Sequence, residues 1–392
     1  LSGLSRRKRL LVQGATGSIG QSVLDVARRH GDRFQVVGVA ARSNLTGLVA
    51  AAREFTVQSL AFETGSDSEG ARREIEGSGI PHVFSGLNAL EEQAANTDYD
   101  LLVNAVSGGA GLEPTAAALR RGISVALANK ETLVAAGPIV MKMAIDHGAE
   151  VLPIDSEHSA IYQCLLGEKL DSIRKIWLTT SGGPFRDFET AELEGVSVER
   201  ALMHPTWKMG QKITIDSATL FNKGLEVIEA NRLFGIPAER IEVVIHRQSV
   251  VHSMVEFVDG SIKAQLSVPD MRLPILFALS YPERLKSDLI QTGIEHIRSL
   301  TFDPVPSGKF PCLDIAFQAL ERGGTVPAAL SAADEVAVDA FLNHRIRFGN
   351  IAKVLQSVLD AWPDEPLDDI ITVRRADVAA RRLATEAITS LN

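Results

Sequence analysis

The chain is poor in cysteine, in aromatic residues and in long apolar runs, and each shortage removes a class of protein. Cys164 and Cys312 are its 2 cysteines, far apart in unlike contexts, so neither a disulfide framework nor a cysteine-based zinc site is on offer. That usage fits a reducing compartment. No apolar stretch approaches the ~18 residues that a membrane span needs. Cations are also short: 40 Lys and Arg against 49 Asp and Glu leave a formal net charge of -9, which disfavours nucleic acid as a general partner. Internal repeats and low-complexity tracts are lacking too. With 45% hydrophobic and 23% charged residues, the composition is that of a folded globular protein.

What is present begins with Ser5-Arg6-Arg7-Lys8-Arg9-Leu10-Leu11, superficially like a twin-arginine export signal. Gly14, Gly17 and Gly20 interrupt the apolar stretch such a signal needs, so the run reads as a charged lead-in to a strand. The chain opens on Leu1 rather than Met, which leaves room for a targeting segment removed upstream.

At 392 residues, two or three domains are expected. Residues 1–150 alternate short apolar runs (Leu10–Val12, Val36–Val39, Leu101–Val103, Val125–Leu127) with helical patterns, which predicts a Rossmann-like α/β domain with a parallel sheet. Ile19, Val23, Val26 and Ala27 share one face of its first helix, closed by Gly31. From residue 151 the pattern changes. Val251–Phe257, the turn Asp259-Gly260 and the alternating Ile262, Ala264, Leu266 and Val268 predict a half-buried hairpin. Residues 151–282 therefore read as a central α+β catalytic domain with a mainly antiparallel sheet, whose spare face would suit a dimer interface. Residues 283–311 form a linker. Residues 312–392 read as a C-terminal helical domain, with Ala329, Leu330, Ala333, Val336 and Ala337, then Ile351, Val354, Leu355, Val358 and Leu359, at helical spacing.

Gly14-Ala15-Thr16-Gly17-Ser18-Ile19-Gly20 lies between a strand and an amphipathic helix, where glycines let the backbone approach a pyrophosphate and the helix start supplies free N–H groups. A tight packing turn would use the same glycines. The second strand runs into Arg42-Ser43-Asn44 instead of the carboxylate usual for NAD, which favours the 2′-phosphate of NADPH, although Arg42 also suits a solvated loop.

Asp155-Ser156-Glu157-His158 follows a strand end at Ile154, and Asn222 and Glu226 share a helix face with Lys223 beside them. Asp155, Glu157 and Glu226 make a hard oxygen set suited to Mg²⁺ or Mn²⁺. Asp155 and Glu157 equally suit a helix N-terminus, through its dipole. Ser181-Gly182-Gly183 suits an anion nest which, with Ser217, Asn222 and Lys223, offers the donors a phosphate needs; a glycine turn and a surface lysine would look the same. Lys130, in Asn129-Lys130-Glu131, is placed to polarise a carbonyl, or simply to start a helix. The segment His204–Gly210 reads as a loop whose Trp207 and Met209 would cover a substrate. His246, His252, Cys164 and Cys312 read as structural.

Taken in order, GATGSIG (14–20), ANKE (128–131), DSEH (155–158), SGGPFR (181–186), DSATLFNKGLE (216–226), PDMRLP (269–274) and PCL (311–313) resemble the 1-deoxy-D-xylulose 5-phosphate reductoisomerases of the non-mevalonate isoprenoid route. The resemblance runs through most of the chain. It implies an NADPH-dependent, divalent-metal-dependent rearrangement and reduction of that sugar phosphate to 2-C-methyl-D-erythritol 4-phosphate, by a homodimer that binds neither nucleic acid nor membrane. It implies a bacterial cytoplasmic location or, after loss of a transit segment, a plastid-type one. Position by position, Thr16, Gly17, Ser18, Ile19, Asn44, Asn129, Glu131 and Gly210 would bind NADPH, and Asp155, Glu157 and Glu226 the metal. Lys130, Ser156, Glu157, Ser181, His204, Ser217, Asn222 and Lys223 would contact substrate. Lys130, Asp155, Glu157, Glu226 and His204 are the catalytic set. Arg42, Ser43, Arg247 and the Ser107-Gly108-Gly109 loop depart from the family pattern.

A plain sugar-phosphate dehydrogenase leaves the three carboxylates without a joint task, and a phosphorylating semialdehyde dehydrogenase needs a reactive cysteine that neither Cys164 nor Cys312 resembles. An NADPH-holding redox sensor would need only the first domain.

Overall fold

The computed structural model describes residues 6–63, 73, 75–204, 207 and 209–391. The chain divides into two compact units: Leu1–Thr132, Val140–Asp155 and Asp270–Ile290 in one, Leu133–Ile139, Ser156–Pro269 and Gln291–Asn392 in the other. Ser5, of the basic lead-in, and Pro205, Thr206 and Lys208, of the His204–Gly210 loop, lie outside the described residues.

The first unit is built on a seven-stranded sheet: β1 (Lys8–Gln13), β2 (Phe34–Ala41), β3 (Ser59–Phe62), β4 (His82–Ser85), β5 (Leu101–Asn104), β6 (Ser124–Leu127) and β7 (Val151–Pro153), in the order β4-β3-β2-β1-β5-β6-β7. Every pairing is parallel. Strands buried on both faces read as unbroken apolar runs rather than alternating ones, and Leu10, Leu11 and Val12 are fully buried accordingly. The strand order reverses between β1 and β5, the switch point where open α/β sheets bind ligands at their C-terminal edge. From the later part of the chain, the helix Arg272–Ser280 returns to this unit and packs on the helix Ser18–Arg29. Arg272 fixes the approach by pairing with Asp25 at 3.2 Å and with Asp270 at 2.6 Å.

The second unit carries a mixed five-stranded sheet of β8 (Ile173–Thr180), β9 (Ile241–Ile245), β10 (Val251–Phe257), β11 (Ile262–Leu266) and β12 (Asp303–Pro304), in the order β11-β10-β8-β9-β12. The β10/β11, β10/β8 and β12/β9 pairs are antiparallel, whereas β8 and β9 run parallel, joined by a crossover that contains the helices Gln211–Ala218 and Phe221–Phe234. The expected hairpin forms. Its apolar face on β11 is not half-buried, however: Ile262 is 55% exposed, because β11 is an edge strand. The helix Ser156–Leu165 packs on β10 and β11. Four long helices, Pro311–Arg322, Val326–Leu342, Asn350–Ala361 and Ile370–Ser390, bury the periodic faces seen in the sequence, including Ile351, Val354 and Leu355 at 0% exposure.

Candidate active site

In the first unit the GATGSIG loop joins β1 to the helix Ser18–Arg29. Gly14 sits at φ +81°, and a Cβ there would lie 2.2 Å from the Ala105 carbonyl oxygen; at Gly20 it would meet the Gly14 carbonyl oxygen at 2.1 Å. Both are glycine because backbone passes over backbone. Gly17 caps the helix without any side-chain hydrogen bond, so the first-turn N–H groups remain directed outward, beside the exposed Gly17 and Ser18 and the half-buried Thr16 and Ile19. A helix start of this kind suits an anion.

The other residues expected to meet NADPH are placed as follows. Arg42, at the end of β2, is exposed and lies 3.2 Å from Glu63. Asn44 caps the helix Leu45–Phe55 by accepting from the Gly47 N–H at 2.9 Å. Asn129 caps the helix Lys130–His147, accepting from the Thr132 N–H, and its amide donates to the carbonyls of Val106 and Gly108 and to Glu131. Asn129 therefore braces the 106–108 loop, the departing Ser107-Gly108-Gly109 segment included. Lys130 Nζ lies 2.8 Å from Asp155 Oδ2, both side chains nearly buried. Gly210, in the second unit, caps the helix Gln211–Ala218 and is exposed.

The second unit gathers the remaining candidates into two groups. In one, Lys223 Nζ lies 2.9 Å from Glu157 Oε1 and also binds Glu226; Asn222 donates to Glu226 at 2.5 Å, and Ser156 donates to Glu157. Carboxylate oxygens of Glu157 and Glu226 come within 4.8 Å of one another. Glu226 and Lys223 are 2% and 3% exposed and Glu157 is half-buried, so two carboxylates are brought together around one largely buried cation. The Glu157 and Glu226 donors are hard oxygens, as a magnesium-like ion requires, and the neighbouring His158 Nε2 is engaged by the Glu226 carbonyl, to which it donates at 2.8 Å. His158 Nδ1 faces Glu229 at 3.5 Å, a buried contact that spacing alone did not disclose.

In the other group, Trp207 N–H donates to His204 Nδ1 at 2.8 Å, which leaves the imidazole proton on Nε2, 3.1 Å from Ser217 Oγ and 3.4 Å from Ser181 Oγ. Burial, and after it the Arg186 charge, pushes the His204 pKa down to about 4, so the ring is a neutral donor. Gly182 and Gly183 adopt φ +79° and +66°. Their N–H groups donate to Thr180 and Ser181 hydroxyls, 3.2 Å each, so the expected nest is engaged by its own side chains.

The comparisons with known proteins agree throughout the chain. Residues 10–137 match the 1-deoxy-D-xylulose 5-phosphate reductoisomerase family, residues 151–234 its C-terminal domain, and residues 266–383 the DXP reductoisomerase C-terminal domain. The chain belongs to the 1-deoxy-D-xylulose 5-phosphate reductoisomerase family. It is accordingly an enzyme of the oxidoreductase class. The reductoisomerase of Ralstonia pickettii is 48% identical over 97% of this chain and 97% of its own, and that of Chlorobium chlorochromatii 49% over 90% and 92%. The Zymomonas mobilis reductoisomerase solved with NADPH superposes with a TM-score of 0.90 at 41% identity, covering 98% of this chain and 99% of its own. A reductoisomerase solved with NADPH, fosmidomycin and magnesium gives a TM-score of 0.92 at 40% identity over the same shares.

Arg186, quoted within SGGPFR but given no role from sequence, donates to the Ser181 carbonyl at 2.8 Å and sets a positive charge beside His204. The signal was an arginine five residues after a glycine-rich strand end. Arg247, a departure from the reductoisomerase pattern, makes a two-pronged surface pair with Asp187 at 2.7 and 3.0 Å. His246 and His252 are buried and bonded to the Thr301 and Ser267 carbonyls, and both cysteines are free and buried.

Proposed function

We propose that this chain converts 1-deoxy-D-xylulose 5-phosphate to 2-C-methyl-D-erythritol 4-phosphate, with NADPH as reductant and one Mg²⁺ or Mn²⁺ per site. The observation that carries the reading is the pair of carboxylates, half-buried Glu157 and buried Glu226, gathered by Lys223 on the DSATLFNKGLE segment. Asp155, two residues before Glu157 in the chain, completes a three-carboxylate metal set. NADPH and magnesium in the related solved structures support the same choice of cofactors. When bound, the metal supplies Lewis-acid polarisation of the substrate ketone and a template for its neighbouring hydroxyl, and the nicotinamide supplies the hydride.

The protein's own groups do the rest. Residues 1–150 hold most of NADPH: Thr16, Gly17, Ser18 and Ile19 receive the pyrophosphate on the helix start, Arg42 and Asn44 the 2′-phosphate end, and Asn129 and Glu131, joined by Gly210 from later in the chain, the remainder. Residues 151–282 hold the metal and substrate, and residues 312–392 back them, across the 283–311 linker. Ser181, Ser217, Asn222 and Lys223 bind the substrate phosphate, Lys223 as the point charge, and His204 donates through Nε2. That remote binding energy orients the carbon skeleton for rearrangement. Lys130, paired with Asp155, stabilises negative charge developing on the substrate oxygen, while Ser156 and Glu157 hold and move its hydroxyl proton. Trp207 and Met209 exclude water.

A homodimer is proposed on the outer edge of the second sheet, where Val258, Ile262 and Val268 are 66%, 55% and 38% exposed. No helix among the described residues is long and apolar enough to cross a membrane; the cytoplasmic placement is proposed from the bacterial relatives. The test is the loss of NADPH absorbance with 1-deoxy-D-xylulose 5-phosphate and Mg²⁺ or Mn²⁺. Decay that stops on chelation is expected. A folded, NADPH-binding protein that shows no decay with either metal refutes the substrate assignment.

A further inference from the structure

Asp334, in the middle of the helix Val326–Leu342, is a charged side chain with 0% exposure. Its carboxylate lies 2.6 Å from Lys212 Nζ, and the same ammonium lies 2.6 Å from Asp216. Lys212 and Asp216 both belong to the helix Gln211–Ala218, four residues apart, so Asp334 closes on an ion pair that joins two successive turns of that helix. Lys212 also stands 5.9 Å from the ring centre of Phe221, the first residue of the helix that carries Asn222, Lys223 and Glu226.

Ion triads of this kind are weak contributors to stability, since taking each charge out of water offsets most of the attraction. What such a triad supplies is direction. The next residue after Asp216 is Ser217, whose hydroxyl faces His204 Nε2. The far side of that turn is fixed as well: a Cβ on Gly183 would lie 2.6 Å from the Ser217 carbonyl oxygen, so the Ser181–Gly183 turn is pressed against it. Ser217 is thus held between a glycine turn and a charge anchor. A second close approach links the C-terminal helices to the neighbouring site helix, because a Cβ on Gly224 would meet Ala316 Cβ at 2.4 Å.

We infer that Asp334 is a positioning residue for the anion-binding group: through Lys212 and Asp216 it sets the rotation of the Gln211–Ala218 helix, and hence the aim of Ser217 at the substrate phosphate. This gives the C-terminal helices a part in substrate recognition. It rests on the proposed phosphate role of Ser217.

The experiment uses the full chain and three measurements: KM and kcat for 1-deoxy-D-xylulose 5-phosphate, inhibition by inorganic phosphate, and NADPH affinity by fluorescence. Asp334→Asn is expected to raise KM about tenfold and weaken phosphate inhibition in parallel, with kcat within about threefold and NADPH affinity unchanged. Lys212→Met, at a partly exposed side chain, is expected to do the same, and Lys212→Arg to stay near the parent. A merely structural role lowers the active fraction, hence apparent kcat, and leaves KM alone; that result, or failure of both Asp334→Asn and Lys212→Met to fold, overturns the inference. Ser217→Ala separates the two levels. If it raises KM while Asp334→Asn does not, only the positioning role falls; if it changes neither KM nor phosphate inhibition, the phosphate assignment itself is wrong and the inference goes with it.

Discussion

Lys223 holds Glu157 and Glu226 together, with its ammonium 2.9 Å from Glu157 Oε1 and also bonded to the Glu226 carboxylate three residues along its own helix. Two acids brought this close would repel unless a cation stood between them. The sequence spacing placed Lys223 and Glu226 on one helix; Glu157, 66 residues earlier, arrives through the packing of the Ser156–Leu165 helix against the helix Phe221–Phe234.

Replacing Glu226 by Gln removes a carboxylate while keeping an amide able to pair with Asn222. Turnover is expected to fall by at least about 10²-fold, because the interaction lost is with the polarising metal. NADPH affinity, in which Glu226 is given no part, should stay within about twofold, as measured by quenching of its fluorescence. Wild-type turnover in this variant would sink the metal assignment.

Metal binding should also register without any catalysis. An ion that binds only the folded chain stabilises it by about 3 kcal/mol when present at roughly 100 times its dissociation constant. Mg²⁺ or Mn²⁺ is therefore expected to raise the melting temperature of the wild type, and chelation to return it. Glu226→Gln should show a much smaller rise. Equal shifts in both proteins would place the ion elsewhere.

Much of this architecture is readable in the chain, for a definite reason. Leu10–Val12 and Leu101–Val103 announce buried parallel strands because both sheet faces are covered, and Gly14 to Gly20 announce a close backbone crossing because a side chain is excluded there. The acids of DSEH and NKGLE sit at spacings that local geometry interprets. What stays hidden depends on partners far away along the chain. Asp334 looks like any polar residue of an amphipathic helix until Lys212, 122 positions earlier, is folded against it. Glu229 gives no sign of His158, and the alternation on β11 predicts a covered face that an edge strand of a single chain does not have. Local periodicity carries no information on what lies opposite.

Gly14→Ala tests the close crossing. The added methyl would sit 2.2 Å from the Ala105 carbonyl oxygen, and at φ +81° an L-residue is strained even with space available. Destabilisation of about 2–4 kcal/mol is expected in urea unfolding, with NADPH affinity reduced beyond what unfolding explains, because the loop must move away from its present path. Gly31→Ala is the control: its nearest neighbour would be 3.6 Å away, and the effect should be under about 1 kcal/mol. Similar losses in the two variants would remove the argument from steric crossing.

The neutral state of His204 predicts a pH effect with a definite sign. An exposed imidazole takes up its proton near 6.5, whereas burial and Arg186 lower that of His204 to about 4. Between those values the unfolded chain binds more protons than the folded one, so this contribution to stability is fully present above about 6.5 and is lost as pH falls toward 4. His252, also lowered to about 4 by burial, acts in the same direction. Protonation at His204 has a local consequence as well: Nδ1 would become a donor facing the Trp207 N–H, and the bond that holds the loop would break. The fluorescence difference between the wild type and Trp207→Phe should therefore titrate at a pH nearer 4 than 6.5, ahead of global unfolding followed by circular dichroism. The KM for the sugar phosphate should rise along the same limb, because loss of the Trp207 bond frees the ring that aims Nε2 at Ser217. A loop signal that changes only together with the whole fold, or one centred near 6.5, would show that His204 is not held neutral by its surroundings.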